Sequence, residues 1–69
     1  MNTELRSQVW VVRVVVPGES RTRDFYNCQA EVERSGGALC IVERITRNVV
    51  AGFGRRAWTE FTQGLEDEP

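Results

Sequence analysis

Val9-Trp10-Val11-Val12-Arg13-Val14-Val15-Val16 decides the fold class. Six of these eight residues are Val, which is stiff at χ1 and packs well on a pleated sheet. The even positions, Trp10, Val12, Val14 and Val16, are all apolar, and so are Val9, Val11 and Val15. Only Arg13 interrupts the run. A strand with one wet face alternates, whereas a run apolar on both faces needs burial on both. One small meander covers one face well. The second face then calls for the C-terminal segment with Trp58 and Phe61, or for a second copy of the chain. Methyl groups left exposed are the plainer alternative. Val9, Trp10, Val11, Val12, Val14 and Val16 therefore mark a candidate self-association surface, and a homo-oligomer is the expected state.

Turn chemistry in Pro17-Gly18-Glu19-Ser20 ends this strand. From Phe25 to Glu33 the chain alternates, with Tyr26, Cys28, Ala30 and Val32 on one face and Asn27, Gln29, Glu31 and Glu33 on the other. A period of two predicts one half-buried strand. Ser35-Gly36-Gly37 reverses the chain, and Ala38-Leu39-Cys40-Ile41-Val42 continues as a strand to about Ile45. Thr46-Arg47-Asn48 reads as a tight turn, Val49–Phe53 as a fourth strand, and Gly54-Arg55-Arg56 as a break. Ala57 to Thr62 fits either a strand or a short helix with Trp58, Phe61 and Leu65 on one stripe. Its Trp, Thr and Phe favour strand, and Gly64 limits a helix to about two turns. No internal repeat stands out. The expected fold is all-β: an antiparallel meander of four or five strands, a small open barrel or a single twisted sheet. Residues 1–8 are expected as a flexible N-terminal segment, 9–63 as a single β domain, and 64–69 as an acidic disordered tail.

The 69 residues leave room for one domain. A core this small is marginal and often needs a staple. Two Cys and no His cannot complete a four-ligand zinc site. In the expected hairpin Cys28 lies opposite a residue near Arg44, which puts Cys28 and Cys40 about 13 Å apart at about 3.3 Å per residue. A disulfide needs about 7 Å or less, so two free thiols and a reducing compartment are expected. No apolar signal core and no membrane-length apolar run is present. Cytoplasmic placement is the expectation, with no membrane partner, and oligomerisation is the staple left.

All nine basic residues are Arg, against ten acids, a formal charge of -1. The lack of Lys and His excludes imidazole bases, Schiff-base lysines and a P-loop. Ser20, Ser35 and the two thiols have no His to activate them. Cys28, on the apolar face of its strand, reads as a small core residue. Glu31 and Glu33 share a strand face about 7 Å apart, a spacing that glycosidase carboxylates use. Such a pair is equally the wet side of an amphipathic strand, and a chain this small shows no cleft to go with it. Gly52-Phe53-Gly54 lacks the third Gly and the helix of a nucleotide loop, and marks a bulge or kink instead. An enzyme is not expected, and neither is a cofactor.

The richest stretch is basic. Arg44, Arg47, Arg55 and Arg56 lie within thirteen residues that contain no acid, with Phe53 and Trp58 among and beside them. Arg forks suit phosphate and aromatic rings stack on bases, so these six residues are the candidate site for single-stranded nucleic acid on a small barrel. An acidic protein partner suits the same guanidinium groups. A solvated Arg-rich edge that blocks strand pairing suits them as well. The overall acidity weighs against nucleic acid. Without Glu66, Asp67 and Glu68, seven acids face nine Arg, a weak basic excess.

The run Gly36-Gly37-Ala38-Leu39, Val49-Val50-Ala51-Gly52-Phe53, then Trp58 and Phe61, resembles short bacterial and phage reading frames. The resemblance implies no activity and no site residue. Accessory proteins of phage and mobile elements are often this small. A non-catalytic protein-interaction module that self-associates is therefore the leading expectation, with nucleic-acid binding as the alternative.

Overall fold

The computed structural model describes residues 8–67, and expectations for residues 1–7, 68 and 69 lie outside them. Six strands follow in order: β1 Gln8–Val15, β2 Arg23–Tyr26, β3 Cys28–Val32, β4 Leu39–Glu43, β5 Val49–Phe53 and β6 Glu60–Asp67. They form two three-stranded antiparallel sheets, β2-β1-β6 and β3-β4-β5. The all-β expectation holds. The antiparallel meander of four or five strands is approximately right, with six strands in place of four or five; they lie in two sheets, not closed into a barrel, where a small open barrel or a single twisted sheet was expected.

The expected strand Phe25–Glu33 is two strands, broken at Asn27. Asn27 has φ 59°, a left-handed conformation that Asn tolerates better than most residues. The chain turns a corner there and passes from one sheet to the other. The corner also shifts the inside–outside phase. Phe25 packs on the core, Tyr26 is exposed, and Cys28 is buried, whereas one uniform strand would put Tyr26 and Cys28 on the same side.

β6 returns to pair with β1 along its whole length, from Val15↔Glu60 to Gln8↔Asp67. The segment after Trp58 is thus a strand, as expected, but a longer one. Gly64 to Asp67, expected in the disordered tail, belongs to β6. Acidity predicts solvation, and here the first strand supplies a ladder that holds these residues in order.

The two sheets meet over Val12 and Val14 of β1, Cys28 of β3, and Leu39 and Ile41 of β4, with Trp10, Phe25, Phe53, Trp58 and Phe61 packed against them. Phe25 and Phe53 meet edge to face at 6.1 Å, and Trp58 leans on Phe61 at 5.8 Å, distances at which aromatic pairs attract. The seam is polar. Gln63 Oε1 on β6 accepts from Ala30 N of β3 at 3.0 Å and from Trp10 Nε1 at 3.3 Å.

The second face of β1 is covered from within the chain. Arg13 faces Thr62 and Glu66 faces Val9, so the ion pair between Arg13 and Glu66 spans the rung that holds Val11. Arg13 Nη1 also donates to Asp24 at 2.6 Å. Tyr26 lies directly opposite Val11, and Val11 is 0% exposed. Trp58 and Phe61 pack on the other face, with the core.

Cys28 lies opposite Glu43 and Cys40 opposite Glu31, three rungs or about 10 Å apart. Both thiols are free.

Candidate functional site

The two β-hairpins of the second sheet carry a repeated turn. Val32-Glu33-Arg34 recurs ten residues later as Val42-Glu43-Arg44. In the first, Glu33 N donates to Ala38 O and Gly37 N to Glu33 O. In the second, Glu43 N donates to Asn48 O and Arg47 N to Glu43 O. Gly37 and Arg47 hold the equivalent left-handed position, at φ 71° and 66°. Self-similarity at this spacing is visible in the sequence but is only three residues long before the turns diverge at Ser35 and Ile45. Its structural equivalence is what makes it evident.

Glu43 organises the second turn. Its Oε1 accepts from Ile45 N at 2.9 Å, Thr46 N at 2.6 Å and Thr46 Oγ1 at 2.9 Å, and its Oε2 accepts from Asn27 Nδ2. The Thr46 amide first, aided by the Thr46 hydroxyl, Ile45 N and Asn27, holds the Glu43 carboxyl below its ordinary range. The chain therefore leaves β4 at Glu43, two residues before the strand end expected near Ile45.

The turn displays rather than buries its apolar residues. Ile45 is 80% exposed, and Val49 and Val50 just beyond it are 64% and 51% exposed. The register slips between Ile41↔Ala51 and Val42↔Val49, leaving Val50 as an extra residue. This β-bulge lies two residues before Gly52, whereas a bulge was expected within Gly52-Phe53-Gly54. Gly52 keeps a regular place opposite Cys40.

The four candidate Arg do not form one cluster. Arg44 and Arg47 sit before β5 and Arg55 and Arg56 after it, so the length of the strand, about 16 Å, separates them. The Arg44 guanidinium lies 5.1 Å from the centre of the Trp10 ring, within cation–π range. Arg47 Nη2 is 3.6 Å from Glu31 in an exposed pair. Arg55 lays its aliphatic stem beside Gly37, where a Cβ would come within 3.2 Å of Arg55 Cγ. Among the described residues, Arg55 and Arg56 have no carboxylate partner. Phe53 and Trp58 face inward: Phe53 packs on Phe25, and Trp58 Nε1 donates to Gly37 O at 3.1 Å. The stacking platform drawn from them is part of the core rim instead.

The β1 residues expected for self-association are accounted for inside the chain. Val11, Val12 and Val14 are fully buried, Trp10 and Val16 are packed on the core, and Val9 is half-buried. β1 is the middle strand of its sheet, so it presents no free edge. The apolar surface that sequence reasoning missed is Ile45, Val49 and Val50. Its signal was an uncharged strand shortly after a turn that contains Ile45.

Glu31 and Glu33 have separate partners. Glu31 accepts from Gln29 Nε2 at 3.2 Å, and Glu33 accepts from Ser35 Oγ at 3.4 Å. Cys28 Sγ donates to Tyr26 O at 3.3 Å, and burial pushes its thiol pKa up. Among the described residues no group of His, Cys, Asp or Glu is arranged to hold a metal ion, and no helix is long and apolar enough to cross a membrane. The chain matches no protein-family model, no curated protein and no solved structure.

Proposed function

We propose that this chain is a non-catalytic protein-interaction module whose binding surface is the β4–β5 hairpin. One observation carries this function: Ile45, Val49 and Val50, three of the six large apolar residues exposed among the described ones, lie within six residues of one hairpin. Scattered exposed apolar side chains are ordinary, but a concentration of them on one element marks an interaction site. Self-association through β1 has little support, because the residues expected to drive it are used within the chain. The nucleic-acid alternative keeps its guanidinium groups and loses its stacking rings, which face the core.

The test is an amide chemical-shift titration of the whole chain. One probe is a neutral nine-residue peptide of alternating Val and Thr; the other is a single-stranded thymidine 12-mer. Shifts confined to residues 45–53 with the peptide, and abolished by Val50→Lys, support the module. Binding of the 12-mer without binding of the peptide overturns it in favour of nucleic acid. Shifts scattered away from 45–53 also overturn it.

A further inference from the structure

The edges of the two sheets are guarded unequally. β3 gives its Ala30 amide to Gln63 across the seam. β2 is four residues long and carries Arg23 and Asp24. β6 carries Glu60, Glu66 and Asp67. β5, Val49-Val50-Ala51-Gly52-Phe53, carries no charge and no Pro, and among the described residues it pairs only with β4. Charges, Pro and bulges are the usual means of blunting an edge strand; β5 has only its bulge at Val50.

Resting on the reading of the hairpin as an interaction surface, we infer that the free edge of β5 takes up an extended segment of a partner protein as an added strand. That segment has acidic residues at both ends. The pairing mode follows from the edge itself, since unpaired backbone groups accept an added strand through main-chain hydrogen bonds. The charge follows from the residues that flank β5 in the chain, Arg47 before it and Arg55 and Arg56 after it. Arg55 and Arg56 have no carboxylate partner among the described residues, and the Arg47–Glu31 pair is long and exposed. A second copy of the chain fits this edge poorly. Antiparallel β5–β5 pairing about Ala51 brings the end of β5 that follows Arg47 in one copy to the end that precedes Arg55 and Arg56 in the other, and like charges brought together are destabilising.

The experiment uses the whole chain and two further nine-residue peptides. Both have a Val/Thr centre; one carries two Glu at each end and the other two Lys. The Glu peptide is expected to bind about tenfold tighter than the Lys peptide, the scale of several exposed charge pairs reversed. The preference should shrink as salt is raised, and Arg55→Glu with Arg56→Glu should reverse it. Amides in 49–53 should become protected from hydrogen exchange. Equal binding of both peptides overturns the acidic partner and leaves the hairpin surface standing. Failure of both, when the neutral peptide also fails, overturns both conclusions. Concentration-dependent dimerisation of the chain alone, lost in Val50→Lys, overturns the inference by giving the edge to a second copy.

Discussion

Asn27 Nδ2 donates to Glu43 Oε2 at 2.5 Å, tying the corner between the two sheets to the turn that leads into β5. The backbone reinforces the link. Asn27 N donates to Trp10 O at 2.7 Å, and Arg44 N donates to Asn27 O at 2.9 Å. One left-handed residue thus joins β1, the corner and the displayed hairpin.

Asn27→Ala and Asn27→Gly separate the two parts of this joint. Gly keeps the left-handed backbone and loses the side-chain bond. Ala loses both, and the backbone alone costs an alanine about 1–2 kcal/mol. Urea unfolding should rank the proteins wild type, Gly, Ala in falling stability. An Ala variant as stable as Gly would show that the corner is not strained.

Arg47 occupies, at φ 66°, a position that its counterpart fills with Gly37 at φ 71°. Relief of left-handed strain in Arg47→Gly outweighs the extra freedom of the unfolded chain, which costs about 0.5–1 kcal/mol. A small gain in stability is expected. Gly37→Ala should lose stability, from its φ and from the approach to Arg55 Cγ. Thermal unfolding of both variants checks the opposite signs.

Acid should loosen the hairpin first. Glu43 is held below the ordinary carboxyl range in the folded chain, chiefly by the Thr46 amide. As pH falls, the unfolded chain takes up the proton first. The stability from Glu43 is therefore present above the ordinary carboxyl value, about 4.3, and is lost as pH drops below it toward the folded value. Glu19, lowered by its bond from Arg23, adds to the same arm. Glu43→Gln should flatten the acid arm of the stability curve without removing it, which unfolding measured from pH 6 to pH 2 checks.

The thiols should differ in reactivity. Cys28 is 4% exposed with its pKa raised, and Cys40 is half-buried. A thiol reagent at pH 8 should modify Cys40 first, with Cys28 reacting only as the chain opens. The intact mass should correspond to two reduced thiols. Equal rates at both sites would contradict the burial of Cys28 between the sheets.

The all-β class, the position of β5, the three turns and the separation of the two cysteines are all legible in the residues alone. Each follows from local chemistry: β-branched runs, a period of two, and Gly, Pro and Asn at reversals. Phe25 to Glu33 shows where local pattern stops. Alternation continues through Asn27 without a visible break, because one residue with positive φ changes the strand's partner and not its composition. Glu66 and Asp67 show the same limit. Their acidity predicts solvent, and a ladder with β1, more than fifty residues away in the chain, orders them. That Arg13 and Glu66 close over Val11 follows from the pairing of β6 with β1 and from nothing local. The tertiary structure also left the outer edge of β5 without a neighbouring strand among the described residues. Covering a face and leaving an edge free depend on which strands become neighbours, and that is a property of the whole chain.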